Sequence, residues 1–257
     1  MTQQQSNMIE PILETIKNDD IREFAKVLAD DLPSYIWEVG ASSSGKYHPK
    51  YSLGQGGLMR HSIAVVKFLN FFFELEQYNT QFTEREMDLM RVAALCHDGR
   101  KSGEQFDYEK NKFTKFDHPV RMANAVLQFD GKYLNHNEIE FIANCIESHM
   151  GQFNVDKKTT EVLPKPQNIY QQMVHLADYL ASRKCLTMEF EEVEKEVSTT
   201  NLPELDTYII PFGKFKNQKL VDVAKKNPNY IAWCKENITS EPIRSLLKMI
   251  DTQEDEI

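Results

Sequence analysis

Hydrophobic residues recur every three or four positions through most of the chain up to about residue 195, and this period predicts a series of amphipathic helices. The first such segment, 9–28, is interrupted by the polar sequence Asn18-Asp19-Asp20. Five further segments have the same spacing: 58–75, 84–97, 119–128, 137–149 and 167–194. The pattern therefore predicts a predominantly helical domain over residues 1–198.

Residues 41–57 interrupt the helical period with a stretch of Ser, Gly, Lys, Tyr, His and Pro. A loop of this length inside a compact domain is usually functional. Further along, Pro119 suits the first turn of a helix, where its missing N–H costs nothing. We therefore expect a long loop before the second predicted helix and a helix start at Pro119.

The character of the chain changes after residue 198. Residues 207–210 and 211–220 suggest two short strands around a turn, and a short helix containing Tyr230 and Trp233 follows. We predict a domain boundary near residue 199, with a small module over 199–257. The predicted fold class is thus mostly α, with an all-helical core and a small C-terminal α+β module.

Composition and charge narrow the function classes. Hydrophobic residues make up 41% of the chain and charged residues 27%, as in ordinary globular proteins. A net charge of −9 argues against a protein that grips duplex nucleic acid over its whole surface. The N-terminal sequence lacks a secretory signal, and no apolar run approaches the ~18 residues of a membrane span. We therefore expect no membrane partner. Four scattered cysteines without a Cys-x-x-Cys pair fit a reduced, cytoplasmic protein.

Histidines and acidic residues at predicted helix ends carry the candidate chemistry. Imidazole and carboxylate groups together suit Mn, Fe, Zn or Co. One His-Asp pair alone is more often chance than chemistry, and a histidine that ends a helix can simply complement the helix dipole. An ordered series spread over five predicted helices is harder to explain in that way, and it favours a metal site. Its members are His61, His97, Asp98, His118, His149 and Asp178.

Five segments resemble the HD superfamily of metal-dependent phosphohydrolases: 56–61, 95–101, 117–119, 147–151 and 177–183. The Gly-Gly-Leu-x-x-His opening is similar to the HD domain of bacterial 3′→5′ exoribonucleases. The resemblance implies two divalent ions, of Mn, Fe or another first-row metal. It assigns His61, His97, Asp98 and Asp178 to one ion, and it adds His118 and His149 for a second ion that Asp98 bridges.

The central motif departs from the common family form. His-Asp-Ile-Gly-Lys is replaced here by His97-Asp98-Gly99-Arg100-Lys101. Only one histidine stands at His149, whereas the cyclic-di-GMP branch has two. The second departure argues against that branch. His175, three residues before Asp178, could support a metal ligand from behind, although packing is the favoured interpretation.

The resemblance also implies a mechanism and a set of substrate contacts. A metal-activated hydroxide would attack phosphorus, and Asp98 would be the central ligand of the metal ions that activate it. Lys101 is the preferred phosphate contact, because an ammonium group can follow phosphate without bidentate geometry. The alternative for Lys101 is a solvated surface lysine. Arg100 is a weaker candidate for substrate binding, and Arg183 could either clamp phosphate or orient a metal ligand.

The long loop before His61 supplies three more candidates. Lys46 and His48 are expected to contact the substrate, and Tyr47 could stack on a base. An ordinary solvent loop with an aromatic anchor is an equally good interpretation. The loop therefore extends the candidate site without fixing its substrate.

The C-terminal segment resembles a module found at the C-terminus of exodeoxyribonuclease X, over roughly residues 205–238. Residues 211–226 carry five lysines against one aspartate, a local charge of +4. Lys214 and Lys216 among aromatic residues suit single-stranded nucleic acid, where aromatics stack on bases. The alternative is a miniature core of Phe212, Phe215 and Trp233 with solvated lysines around it.

These patterns predict a divalent-metal-dependent phosphohydrolase that acts on a phosphoester or phosphodiester of a nucleotide or short single-stranded nucleic acid. The Gly-Gly-Leu opening and the lysine-rich module favour a phosphodiester. The alternative enzyme is a phosphatase or triphosphohydrolase acting on free nucleotides. A nucleic-acid-binding or regulatory protein with a vestigial site is the non-enzymatic alternative, which the intact set of six candidate ligands disfavours. The oligomeric state is left open.

Overall fold

The computed structural model describes residues 2–42, 48–106, 114–129, 131–186, 188, 204–210, 214–238, 243, 246–247 and 249–250. The chain divides into two units, Met1–Phe190 and Glu191–Ile257. The boundary predicted near residue 199 lies outside the described residues and stays a prediction. No helix among the described residues is long and apolar enough to cross a membrane.

The described residues of the first unit form helices, as predicted, together with short 3-10 turns and an antiparallel bridge between Val155 and Val162. Its 3-10 turns are Ser34–Trp37, Lys50–Ser52 and Gly151–Phe153. Its helices are α1 (Gln3–Leu13), α2 (Asp19–Asp31), α3 (Gly57–Glu74), α4 (Glu76–Asn79), α5 (Glu84–Cys96), α6 (His118–Val126), α7 (His136–Glu147) and α8 (Ile169–Ala181).

Local side-chain caps explain where several of these helices begin. Thr83 and Glu86 form a capping box at the start of α5, in which each side chain accepts a hydrogen bond from the other residue's backbone N–H. Asn135 and Glu138 do the same for α7. Asn18 caps α2 by accepting from the Ile21 N–H, so the predicted interruption of segment 9–28 separates two helices.

The predicted last helix is too long. The pattern assigns 167–194 to one helix, whereas α8 ends at Ala181. The Ser182 N–H donates to the carbonyls of Asp178 and Leu180, and Arg183 turns back to donate to the Tyr179 carbonyl. The buried stripe of α8 also ends at Ala181, so no core contact extends the helix further.

Helices α3 and α5 form the centre of the bundle. Ten of the thirteen residues of α5 are buried, and α5 packs against α3, α7 and α8. Leu58 and Leu69 of α3 and Met90 and Leu95 of α5 are fully buried. Because α5 runs through the core, the residues that directly follow it lie in the interior of the domain.

Close packing of the preceding loop against the first residues of α3 fixes where this helix begins. Gly56, at the N-cap, has the left-handed φ of 70°. A Cβ on Gly57 would lie 2.4 Å from the Ser52 carbonyl oxygen, so only glycine fits there. The Arg60 guanidinium donates to the carbonyls of Tyr51, Leu53 and Gln55. The Gly-Gly pair of the sequence motif thus fixes the loop against the helix that carries His61.

The second unit contains helices α9 (Leu220–Lys226) and α10 (Pro228–Asn237). Within its described residues, the two predicted strands amount to a single antiparallel bridge between Ile209 and Lys219. Residues 211–213, which the prediction placed in the second strand, lie outside the described residues. The unit has its own core, formed by Leu205, Ile210, Leu220, Val223, Ile231, Cys234, Ile243, Leu246 and Leu247.

Candidate metal centre

Five helices bring the six predicted metal ligands together. His61 lies in the second turn of α3, and His97 and Asp98 directly follow α5. His118 opens α6, His149 follows α7, and Asp178 lies in α8. The donor atoms form three groups, and within each group they lie within 4.8 Å of one another: His61–His97–Asp98, His97–His149–Asp178 and Asp98–His118–His149.

Asp98 lies between two pairs of imidazoles. Its Oδ1 is 3.0 Å from His118 Nε2 and 3.8 Å from His149 Nε2. Its Oδ2 is 3.6 Å from His97 Nε2 and 3.8 Å from His61 Nε2. Each carboxylate oxygen therefore faces a different pair of histidines, which is the arrangement a bridging ligand requires.

Asp178 completes one side of the cluster. Its Oδ1 is 3.0 Å from His61 Nε2 and 3.6 Å from His97 Nε2. The Asp178 side chain keeps 19% of its surface exposed, whereas the Asp98 side chain keeps 2%. The cluster therefore reaches solvent on the side of Asp178.

Backbone carbonyls orient three of the four histidines. In His97, His118 and His149, Nδ1 lies 2.7 Å from the carbonyl oxygen three residues earlier. Since a carbonyl only accepts, each Nδ1 carries the hydrogen, and the neutral form of each ring therefore presents the Nε2 lone pair to the cluster. The carbonyls belong to Ala94, Lys115 and Ile146.

The pKa shifts of His149, Asp98 and Asp178 suit metal binding. Burial, followed by the neighbouring His97 and His118, lowers the pKa of His149 to about 3, so its imidazole is neutral near pH 7. Burial alone would raise the pKa of Asp98, but Lys101 and the adjacent histidines hold it well below its usual range. Burial likewise opposes ionisation of Asp178, and the neighbouring His61 and His97 hold its pKa well below the usual range. Neutral imidazole and ionised carboxylate are the forms that ligate cations.

Unsatisfied polar atoms give a direct test of whether these residues fit a cation. Among the described residues, His97 Nε2 and Asp98 Oδ1, which both face the cluster, are buried without a hydrogen-bond partner. The Nε2 atoms of His118 and His149 approach to 3.3 Å, although both present lone pairs. A cation between such donors relieves both problems, since buried polar groups without partners cost free energy. The donor set thus fits a metal.

Lys101 and His48 lie beside this cluster. Lys101 Nζ donates a hydrogen bond to Asp98 Oδ2 at a distance of 2.5 Å. The His48 ring centroid is 6.0 Å from that of His61, and burial together with His61 lowers the pKa of His48 to about 4. Lys46 and Tyr47, predicted in the same loop, lie outside the described residues.

The two arginines have other partners in the structure. Arg100 pairs with Asp31 at 2.8 Å and with Glu104 at 3.2 Å. Arg183 lies over the Tyr179 ring, with its guanidinium carbon 4.2 Å from the ring centroid. Lys214 and Lys216 are exposed residues of the second unit. A role of these four residues in substrate binding stays a prediction.

The structure favours the alternative interpretation of His175, as a support of a metal ligand, over packing alone, and the ligand it supports is His149. His175 Nδ1 lies 2.7 Å from the His149 carbonyl oxygen, so it donates to the backbone of this ligand. Gly151 has a φ of +52°, and a Cβ there would lie 2.2 Å from the His175 ring. The spacing of His175 three residues before Asp178 was the available signal, since that spacing places both residues on neighbouring positions of one helix face.

The variant Gly151→Ala is expected to lower metal affinity by about 10- to 100-fold, because it displaces the support of a ligand rather than the ligand itself. Titration with Mn²⁺, followed by the paramagnetic signal of free Mn²⁺, measures this. Gly131→Ala is the matched control, because its Cβ would meet only the Leu134 carbonyl oxygen, at 3.4 Å. Equal affinity in the two variants would show that the packing of Gly151 on His175 does not support the site.

Comparison with known protein families agrees with this geometry. Residues 58–183 match the family model of the HD domain, and residues 210–239 match that of the Exodeoxyribonuclease X-like C-terminal. Neither curated proteins nor solved structures give a significant match to the chain. The HD match contains all six clustered residues, and both resemblances predicted from the sequence are confirmed.

Proposed function

Since the chain carries an HD domain over residues 58–183, and members of that family are metal-dependent hydrolases, we propose that it hydrolyses a phosphodiester of a nucleotide or short single-stranded nucleic acid. The observation that carries the proposal is the position of Asp98, with each carboxylate oxygen turned toward a different pair of imidazoles. A vestigial site would be expected to lack members of such a cluster, whereas all six are present here.

Two divalent ions, of Mn, Fe or another first-row metal, are the proposed cofactors. His61, His97, Asp98 and Asp178 would hold one ion, and His118 and His149 would hold the other together with Asp98. When bound, such ions supply Lewis acidity and a hydroxide nucleophile near neutral pH. His and carboxylate donors accept several first-row metals, so availability decides which is used.

The surrounding side chains have complementary roles in this proposal. Asp98, held ionised by Lys101 and the adjacent histidines, would offset part of the positive charge of the bound ions. Lys101 is close enough to Asp98 for its ammonium to contact a nonbridging phosphate oxygen while it still balances the carboxylate. The phosphate would enter from the side of Asp178, where the cluster is exposed.

An aromatic pair next to the cluster favours a nucleotide over a simple phosphate ester. The Phe153 and Tyr179 rings are parallel within 12°, with centroids 6.2 Å apart, and Phe153 is 50% exposed. Tyr179 follows the ligand Asp178, and Phe153 lies four residues after His149. An exposed ring of this kind offers a stacking surface to a base.

The proposal is tested by incubating the protein with Mn²⁺ and three substrates in parallel: a labelled single-stranded oligonucleotide, a cyclic dinucleotide and a deoxynucleoside triphosphate. We expect consumption of the oligonucleotide, seen as shortened products by electrophoresis, and its loss when a chelator removes the metal. Re-addition of Mn²⁺ after chelation should restore it, which separates metal dependence from denaturation.

The other outcomes correspond to the alternatives. Hydrolysis of the triphosphate alone would show that the protein is a nucleotide phosphohydrolase and not a phosphodiesterase. Consumption of none of the three, by protein that has taken up metal, would favour a binding or regulatory protein.

The cysteines bear on the compartment. Cys96, Cys145, Cys185 and Cys234 are all free thiols, and Cys185 is exposed. Free thiols suit a reducing compartment, so a cytoplasmic location is part of the proposal.

A further inference from the structure

The second unit contains an open cleft at the junction of α9 and α10. Its volume is about 430 Å³. That volume falls within the usual range of small-ligand sites, which begins near 300 Å³. Residues on its walls include Lys214, Phe215, Lys226, Asn229, Tyr230 and Trp233.

Aromatic rings form one side of this cleft. The Tyr230 and Trp233 rings are stacked, with centroids 5.9 Å apart and planes 21° from parallel. The Phe215 ring meets Tyr230 edge-on, with centroids 4.7 Å apart. Trp233 keeps 51% of its surface exposed, whereas the core contacts of α10 are made by Ile231 and Cys234. Trp233 is therefore outside the core, contrary to the miniature-core interpretation of this segment.

Positive charge accompanies the rings. Lys214 and Lys226 both line the cleft, and Lys214 Nζ lies 5.5 Å from the centroid of the Phe215 ring. Over residues 214–233 the sequence has five lysines and one acidic residue, Asp222. A cationic cleft with an exposed indole suits an anionic ligand that also has a flat π face.

We propose that this cleft binds a base of single-stranded nucleic acid, which stacks on Trp233 while the adjoining phosphates contact Lys214 and Lys226. Stacking on aromatic side chains together with lysine contacts to the backbone is how single strands are bound without sequence readout. A duplex keeps its bases stacked and paired, so it cannot offer one to the indole. The inference takes its substrate class from the proposed function, but binding here requires no metal and no hydrolysis.

Binding is measured with the full chain in the presence of a chelator, by the fluorescence anisotropy of a short labelled thymidine oligonucleotide. Trp233→Leu is expected to weaken binding about tenfold or more, since loss of one base stack costs on that order. Phe71→Leu is the matched control, because Phe71 is a similarly exposed aromatic, at 58%, in the first unit. Thermal unfolding of both variants checks that each remains folded.

A second pair of variants tests the charge. Lys225 and Lys226 are neighbouring exposed residues of α9, but only Lys226 lines the cleft. Lys226→Gln is expected to weaken binding and to reduce the salt dependence by about one phosphate contact, and Lys225→Gln to have the smaller effect on both. Equal effects of the two lysines would mean that general charge attracts the strand, and the phosphate contact assigned to Lys226 would be wrong.

An oligonucleotide of the same length with abasic sites isolates the base contact. The wild-type chain should bind it about tenfold more weakly than the thymidine strand, and Trp233→Leu should bind the two alike. Equal binding of both strands by the wild type, or wild-type affinity in Trp233→Leu, would overturn the proposal. Trp233-dependent binding by a protein that is inactive in the substrate assay would contradict the proposed hydrolase but support the binding cleft. Hydrolysis without Trp233-dependent binding would support the hydrolase and contradict the binding cleft.

Discussion

Replacement of Asp98 by Asn is expected to reduce turnover by about a thousandfold or more, with loss of bound metal. Asn keeps the size of the side chain but removes the charge that faces His61 and His97 on one side and His118 and His149 on the other. Metal ions contribute several kcal/mol to the stabilisation of a phosphoryl transition state. At about 1.4 kcal/mol per factor of ten in rate, that contribution corresponds to the expected loss.

The measurement combines turnover on the preferred substrate with elemental analysis of the purified variant. Asp20→Asn serves as the control, because Asp20 is an exposed carboxylate in the first turn of α2. Both variants should keep wild-type circular dichroism, since Asp98→Asn removes a buried charge with almost no change in side-chain volume. Undiminished turnover in the Asp98 variant would eliminate the metal mechanism, whatever the metal content.

The order of ligand types along the chain could be predicted, but their supporting contacts could not. Each histidine stands next to a helix end or start that periodicity and capping residues locate, so the set of six is visible in the sequence. The atoms that turn His97, His118 and His149 inward are main-chain carbonyls. Every residue has such a carbonyl, so no side-chain pattern distinguishes these three.

Tertiary partners account for the other differences. Arg100 has the chemistry of a phosphate ligand, and the sequence does not indicate that Asp31, 69 residues away at the end of α2, also pairs with it. The segment containing Trp233 has an aromatic composition typical of a small core, yet the buried positions of the unit are filled by aliphatic residues such as Leu220 and Ile231. Periodicity indicates which residues can be buried, but it does not indicate which of them are buried in the folded structure.

Asp88 is a charged residue in a buried position, and we expect the stability of the fold to depend strongly on it. Asp88 of α5 is 0% exposed, and its Oδ1 lies 2.7 Å from Arg91 Nη1. Its carboxylate also accepts from the backbone N–H groups of Lys17, at 3.0 Å, and Asn18, at 2.8 Å. Asp88 thus joins the α1–α2 turn to the central helix of the bundle.

Asp88→Ala is expected to lower the free energy of unfolding by about 3–5 kcal/mol, because it leaves a buried guanidinium without its close carboxylate and two backbone donors without an acceptor. Asp88→Asn should recover part of this loss, since its amide oxygen still accepts from the two N–H groups. Urea denaturation measures both. The control is Glu23→Ala, which removes an ion pair of similar length, 2.9 Å to Lys26, from an exposed helix face and should cost less than about 1 kcal/mol. If Asp88→Ala cost no more than Glu23→Ala, the burial of the pair would have no energetic consequence, and the α1–α2 turn would owe its position to apolar packing alone.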